Sequence, residues 1–282
     1  MTEASDWKGQ VGEVWADEWR RTDRTLAPVG EALIAAAEAS LEGKQAPAIV
    51  EIGCGAGTIA FALADNISGA EVVGIDLSKA LIAVARERGK GRDDVSFEEA
   101  DASTWQPENG QRFDTIVSRH GVMFFPDPVA AFAHLRSLCA PGARLVFSCF
   151  RSRAENPWVL ALDPILARFA PEALAGPPPA VGPFAFGNPE RVESILTDAG
   201  FESLQVRPFD FDTIVGVGDD PVADTVSYFS RIGPFAGLLR ELDDARRAAA
   251  IEALKTVAAA HVVDGEVRMR GAAWIVTARS GA

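Results

Sequence analysis

Residues 50–60 read VEIGCGAGTIA: an apolar run, glycines at 53, 55 and 57, then residues suited to a helix. Glycines in such a turn permit positive φ and let a ligand lie against the main chain. A helix start just beyond them presents unpaired N–H groups and a partial positive charge, which favour an anionic group. The spacing is G-x-G-x-G. Thr58 stands where a dinucleotide-binding G-x-G-x-x-G loop has its third glycine, which weakens a nicotinamide site.

Outward from this loop, short apolar runs alternate with helical patterns. AIVEIG (48–53), EVVGID (71–76), VSFEEAD (95–101), FDTIVS (113–118) and ARLVFSCF (143–150) read as strands, and 57–66, 79–89 and 127–140 as helices. This alternation implies βαβ units: an α/β fold with a doubly wound, mostly parallel sheet. The runs are apolar throughout, as strands covered on both faces should be. Upstream, residues 1–30 read as one or two short amphipathic helices, and 31–42 as an Ala-rich helix stopped by Gly43. Past 150, NPWVLALDPILARF is helical and AGPPPAVGPFAFGNP is a connecting loop. A helix over 189–199, a strand over 201–215, helical sequence over 219–262 and a strand over 266–280 complete the chain. Gly233-Pro234 splits the late helical stretch, as two helices joined by a turn or as one kinked helix.

The chain has 282 residues, 48% of them hydrophobic, enough for one sizeable core. Its formal net charge is -13, a poor balance for gripping phosphate backbones, so no nucleic-acid partner is expected. Three scattered cysteines, Cys54, Cys139 and Cys149, make neither a disulfide framework nor a zinc site and fit a reducing cytoplasm. The N-terminus lacks the apolar stretch of a secretory signal, and no segment is long and apolar enough to span a membrane. The three histidines show no metal-ligand spacing, so no metal is expected.

Two acids end strands beside the loop. Asp76 is placed to accept hydrogen bonds from both hydroxyls of a ribose. Asp101 is placed to accept from an exocyclic amine such as that of adenine. VEIGCGAG, VVGIDLS, EEADAS, FDTIVSRHGVMFFPDP and LRSLCAPGARLVFSCF, in this order over residues 28–150, resemble the class I S-adenosylmethionine-dependent methyltransferases. The branch most similar holds small-molecule enzymes near the ubiquinone/menaquinone methyltransferases.

The resemblance implies a Rossmann-like seven-stranded sheet with its last strand antiparallel. It implies S-adenosyl-L-methionine as cofactor and S-adenosyl-L-homocysteine as product. Glu51, Gly53, Cys54 and Gly55 would surround the methionine end, with Gly57 completing the loop or serving helix–strand packing. Asp76 and Leu77 would hold the ribose, Asp101 and Ala102 the adenine. Ser118, Arg119 and His120 would lie beside the methionine amine and the reactive methyl. The resemblance divides the one catalytic domain into an N-terminal helical lid segment (1–30), the cofactor-binding core (31–150), a lid insertion (151–187), continued core (188–218), a helical lid insertion (219–263) and a final core strand (264–282).

The expected reaction is in-line transfer of a methyl group to a small, largely apolar or aromatic acceptor, at carbon or oxygen. His120 is the candidate general base, because an unperturbed histidine titrates near neutral pH. Trp15, Trp19, Phe124, Trp158, Phe186 and Tyr228 are the candidate acceptor contacts, from segments rich in aromatic residues. Trp274 reads as core, and His134 and His261 as structural. The exposed aromatic segments allow a homodimer in which one chain covers the other's site. Alternative functions are a non-catalytic cofactor-binding protein, an NAD-dependent oxidoreductase, and an RNA or protein methyltransferase.

Overall fold

The computed structural model describes residues 7–176 and 179–281. The first six residues of the 1–30 segment, Pro177 and Pro178 of the 151–187 insertion, and Ala282 lie outside the described residues. The apolar runs become β1 (Ala48–Ile52), β2 (Glu71–Asp76), β3 (Val95–Glu99), β4 (Phe113–Arg119) and β5 (Cys139–Phe150). Further on come β6 (Phe201–Gly216), the short β7 (Val262–Val263) and β8 (Glu266–Ser280). All join one sheet, in the order β3-β2-β1-β4-β5-β8-β6, with β7 paired to β8. Neighbours among β1 to β5 are parallel, and β8 runs antiparallel between β5 and β6. This is the doubly wound α/β sheet that the strand–helix rhythm implied, with the antiparallel last strand of the Rossmann-like fold that the resemblance implied.

Side-chain alternation along the strands sorts two cores. Ile49 joins Leu33, Ala37, Ile59 and Leu63 on one face. Val50 and Ile52 join Phe132, Leu135, Phe147 and Leu196 on the other. The first face is covered by α2 (Trp19–Ser40), α3 (Thr58–Asn66) and α4 (Lys79–Arg88). The second is covered by α5 (Pro128–Ser137), and by α8 (Pro189–Asp198) further along the chain. Local chemistry fixes the helix starts: Ser78, Asp127 and Asn188 each accept a backbone N–H of the first turn, and proline opens α5 and α8.

The N-terminal region differs from expectation. After α1 (Gln10–Asp17), α2 is one continuous helix of 22 residues that runs through Pro28 and across the expected boundary at 30/31. Burial explains it. Val29, Leu33 and Ala37 are fully buried against the sheet, and that packing outweighs the hydrogen bond lost at proline. β5 begins at Cys139 rather than Ala143, because Cys139 pairs with Phe113 ahead of a register shift.

A satellite core lies under the later helices. α6 (Pro157–Leu160) and α7 (Asp163–Phe169) come from the 151–187 insertion. α9 (Pro221–Phe229), α10 (Pro234–Glu241) and α11 (Asp244–Ala259) follow β6. They bury Leu166, Phe229, Phe235 and Leu254 against Val215, Val267 and Met269 at one end of β6 and β8. Gly233, at φ +82, opens α10, so Gly233-Pro234 is a turn between two helices and not a kink. The β7–β8 hairpin went unread, although Asp264-Gly265, both at positive φ, is a strong hairpin signal.

Candidate active site

The carboxyl ends of parallel strands are where an open α/β sheet binds its ligands. A cavity of about 350 Å³ lies there. Its floor is Gly53 to Ala56 after β1, Asp76 and Leu77 after β2, Ala100 to Ser103 after β3, and Arg119 to Gly121 after β4.

The glycine loop is held by its own backbone. The N–H groups of Gly53 and Cys54 both donate to Ile75 O, at 2.8 and 3.1 Å, and Gly57 N–H donates to Cys54 O at 2.9 Å. The three glycines have positive φ but separate roles. A Cβ at Gly55 would meet no protein atom within 4 Å, so that position opens on the cavity. A Cβ at Gly53 would lie 3.1 Å from Gly121 Cα, where the loop passes the end of β4. A Cβ at Gly57 would strike the Phe97 ring at 2.6 Å. Gly57 is therefore a packing residue under α3 and does not line the cavity.

Asp76 lines the cavity with one carboxylate oxygen accepting Gly55 N–H at 2.9 Å and the other accepting Ser78 N–H at 2.8 Å. Burial raises its pKa, against the lowering effect of those two bonds. Asp101 Oδ1 accepts from Ser103 N–H and Oγ–H, at 2.9 and 2.6 Å. Cys54 lines the cavity as a buried thiol whose pKa burial raises further, with Asp76 and Glu51 adding to the effect. It is a small wall residue rather than a nucleophile.

Glu51 and Ser118 are not on the cavity wall. The period of β1 turns Glu51 to the α2/α3 side, 1% exposed, with Oε2 lacking a partner. Burial pushes its pKa up to about 8, only partly offset by Arg119 and a hydrogen bond from Ala60 N–H. The Ser118 hydroxyl is committed inside the fold, donating to Ile52 O at 2.8 Å and accepting from Gly121 N–H at 3.2 Å.

Arg119 lines the cavity and pairs with Asp23 of α2. Asp23 also accepts from Thr58 Oγ1 at 2.5 Å, and Thr58 accepts from Arg88 at 2.9 Å. Arg88 in turn lies 4.1 Å over the Trp19 ring. The start of α2 is thus tied across the glycine loop. Sequence reasoning missed Asp23 and Thr22, yet Trp19, Thr22, Asp23 and Leu26 share one helical face and all line the cavity. That spacing was the available signal.

His120 sits in the wall at φ +63, 7% exposed, with Nδ1 2.7 Å from Ser148 Oγ. Burial, reinforced by the charge on Arg119, pushes its pKa down to about 3. The ring is neutral at physiological pH and a weak proton acceptor, which corrects the expectation of a base poised near neutrality. His134 and His261 are structural: each donates to a backbone carbonyl, Trp105 O at 2.7 Å and Val257 O at 2.8 Å.

The roof is aromatic. Trp7, Trp15, Trp19, Phe124, Trp158 and Tyr228 line it, with Phe150, Phe211 and Phe229. Tyr228 donates to Thr22 Oγ1 at 3.2 Å. Phe186 does not reach it. It is 1% exposed among Phe132 and Phe147 in the sheet core, so its role as an acceptor contact is corrected to packing. Trp274 packs on the same core and donates to Gly187 O at 3.1 Å.

Residues 49–142 match a family model described as a methyltransferase domain. The demethylmenaquinone methyltransferase of Thermus thermophilus is 30% identical over 185 residues, covering 61% of this chain and 82% of that protein. The chain belongs to the class I S-adenosylmethionine-dependent methyltransferases. A trans-aconitate 2-methyltransferase of Variovorax paradoxus is 31% identical and covers 65% of each chain. The solved structure of Haemonchus contortus phosphoethanolamine N-methyltransferase 2, in complex with S-adenosyl-L-methionine, shares the fold. Its TM-score is 0.57 at 17% identity, covering 97% of this chain and 58% of that one.

This methyltransferase therefore uses S-adenosyl-L-methionine and releases S-adenosyl-L-homocysteine. The residues present fit that cofactor: an open glycine cradle at Gly55, a carboxylate at the end of β2, and a cation–anion pair at the end of β4. Among the described residues no group of three His, Cys, Asp or Glu side chains is arranged to hold a metal ion. No described helix is long and apolar enough to cross a membrane.

Proposed function

We propose that this methyltransferase acts on a small, largely apolar or aromatic acceptor, at carbon or oxygen. The observation that carries the reading is the roof. Trp15, Trp158, Phe211 and Phe229 present rings to the cavity, and among the described residues Arg119 is the one cation lining it, already paired with Asp23. Such a chamber favours an apolar body with few polar groups. The net charge of -13 supports a small molecule over a nucleic acid.

The cofactor supplies a sulfonium methyl for in-line displacement. Gly53, Cys54 and Gly55 give its methionine part a close backbone surface. Arg119 and Asp23 match the two charges of its amino-acid end. Glu51, buried behind the loop and protonated at physiological pH, supports that end from behind without touching it. Asp76 and Leu77 take the ribose, Asp101 and Ala102 the adenine. Ser118 acts indirectly, by fixing Gly121 against Gly53. The covering segments, 1–30, 151–187 and 219–263, act as a lid that orients the acceptor and excludes water. One chain supplies this whole lining, so the reading needs no second copy. Three free thiols favour a cytoplasmic setting.

The test is calorimetric titration with S-adenosyl-L-methionine, S-adenosyl-L-homocysteine and NAD, then a turnover screen of apolar phenols and ketones against hydrophilic amines. Micromolar binding of the first two ligands and methylation confined to the apolar set is the expected result. Methylation of hydrophilic amines alone would overturn the acceptor reading.

A further inference from the structure

His120 carries two features that a space-filling wall residue does not need. Its backbone is left-handed, at φ +63, a conformation strained for a side chain with a Cβ. Its Nε2 is buried and has no hydrogen-bond partner. A polar ring atom left without a partner out of water is costly, and such an atom beside a ligand cavity points to a ligand.

The partner of the other nitrogen favours one position for the ring proton. Nδ1 lies 2.7 Å from Ser148 Oγ, and the two residues are also joined by His120 N–H donating to Ser148 O at 3.1 Å. Ser148 is fully buried, and His120 Nδ1 is the one hydrogen-bond partner of its hydroxyl among the described residues. If Nδ1 carried the proton, the serine O–H would be buried with no acceptor. If the serine donates to Nδ1, both groups are satisfied and the ring proton sits on Nε2.

We propose that Ser148 fixes His120 as the Nε2–H tautomer and that this N–H donates to an oxygen, carbonyl or phenolate, on the acceptor. The inference rests on the acceptor reading above and makes it narrower. The surroundings of the ring favour the acceptor over the cofactor. His120 meets the Phe150 ring edge-on at 4.2 Å, and Phe150 lies 5.7 Å from Trp158, so the imidazole faces the aromatic part of the chamber. The charged groups suited to the amino-acid end of the cofactor, Arg119 and Asp23, form their own pair. The depressed pKa agrees, since a ring that stays neutral keeps its single N–H at Nε2. Ser148 is then a positioning residue and His120 a donor, not a proton sink.

The experiment has two arms, both on the full chain. First, long-range proton–nitrogen NMR of labelled protein reads the tautomer directly. Wild type should show protonated Nε2 and bare Nδ1 from pH 5 to 9, and Ser148→Ala a mixture of tautomers. An Nδ1–H form in wild type would overturn the proposal. Second, the protein loaded with S-adenosyl-L-homocysteine is titrated with 1-tetralone and with tetralin, which differ by a carbonyl. The ketone should bind about tenfold more tightly in wild type. That preference should vanish in His120→Gly, which suits the left-handed backbone, with homocysteine-product affinity unchanged. Equal binding of the two probes by wild type would refute the donor. So would a ketone preference that survives in His120→Gly, whether or not affinity for the product changes. Binding of the product by wild type checks the cofactor site separately.

Discussion

Gly55 and Gly57 are two positions apart, both left-handed, and open on different surroundings, which makes them a matched test of the site. Alanine at either position carries the strain of a left-handed residue, about 1–2 kcal/mol. At Gly55 (φ +54) the new methyl meets no protein atom within 4 Å, so strain is the whole cost to the fold. A chain of this size loses about 2–4 °C of Tm per kcal/mol, so Gly55→Ala should melt roughly 2–8 °C lower. In the proposed placement of the cofactor, the methyl then stands where its methionine part lies. Overpacking of about 1–3 kcal/mol corresponds to roughly 5- to 150-fold weaker binding.

At Gly57 (φ +82) the methyl would lie 2.6 Å from the Phe97 ring, which is buried and packed on Phe61 at 5.3 Å. Strain plus overpacking totals about 2–5 kcal/mol, or roughly 4–20 °C. Affinity in the folded fraction should stay within about twofold of wild type, because that methyl points away from the cavity. Thermal melting by circular dichroism and calorimetry with S-adenosyl-L-homocysteine read both numbers. A folded Gly55→Ala variant that binds the product as tightly as wild type would refute the placement of the loop against the cofactor.

Glu51 predicts a pH effect. Its folded pKa, about 8, lies above its unfolded value of 4.5, so its contribution to stability is complete below the unfolded value and is lost as pH rises through the folded one. His120, depressed to about 3, acts in the opposite sense but only below pH 6.5. Between pH 6.5 and 8 the Tm of the cofactor-free wild type should therefore fall relative to Glu51→Gln, and parallel curves would count against a buried, protonated Glu51. Asp23→Ala removes the carboxylate that joins Arg119 and Thr58, so it should weaken cofactor binding by about 1–3 kcal/mol and speed hydrogen exchange at the start of α2. Thr58→Ala spares the Arg119 pair and should cost less in the same calorimetric titration. Phe186→Ala should destabilise by about 3–5 kcal/mol with product affinity unchanged, whereas Trp158→Ala should leave product affinity intact and raise the KM of any apolar acceptor.

Periodicity made the sheet legible because each parallel strand is buried on both faces. Ile49 and Val50 point to opposite cores and are both fully buried, so the run has to be apolar at consecutive positions. The place of Asp76 on the cavity was legible for a related reason: the end of such a run lies at the carboxyl edge of the sheet, where the structure puts it on the cavity with both oxygens also holding loop N–H groups. Glu51 shows where that logic stops. It stands one residue before the end of β1, and period two turns it under α3, a consequence that needs the strand boundary to within one residue. Ser118 and Phe186 failed for want of partners. Nothing local shows that one hydroxyl is committed to Ile52 O, or that one phenylalanine of the 151–187 insertion turns inward to meet Phe132.

The N-terminal boundary gives a subtler case. A break near residue 30 is wrong for secondary structure, since α2 runs unbroken from Trp19 to Ser40. The two halves of that helix nevertheless do different things. Val29, Leu33 and Ala37 in the second half are fully buried against the sheet. Trp19, Thr22, Asp23 and Leu26 in the first half line the cavity, and Pro28 stands between the two sets. A change of composition along a chain marks a change of surroundings, and a helix that leaves a core to roof a cavity changes surroundings without ending. The tie that holds the roof half down, Asp23 on Arg119, joins residues 96 positions apart, about a third of the chain. It depends on β4, which carries Arg119 to the cavity, so the roof half is held only where β4 is in place. Disrupting β4 should therefore free the start of α2, whereas removing Asp23 should leave the sheet intact. Hydrogen exchange can read that asymmetry directly.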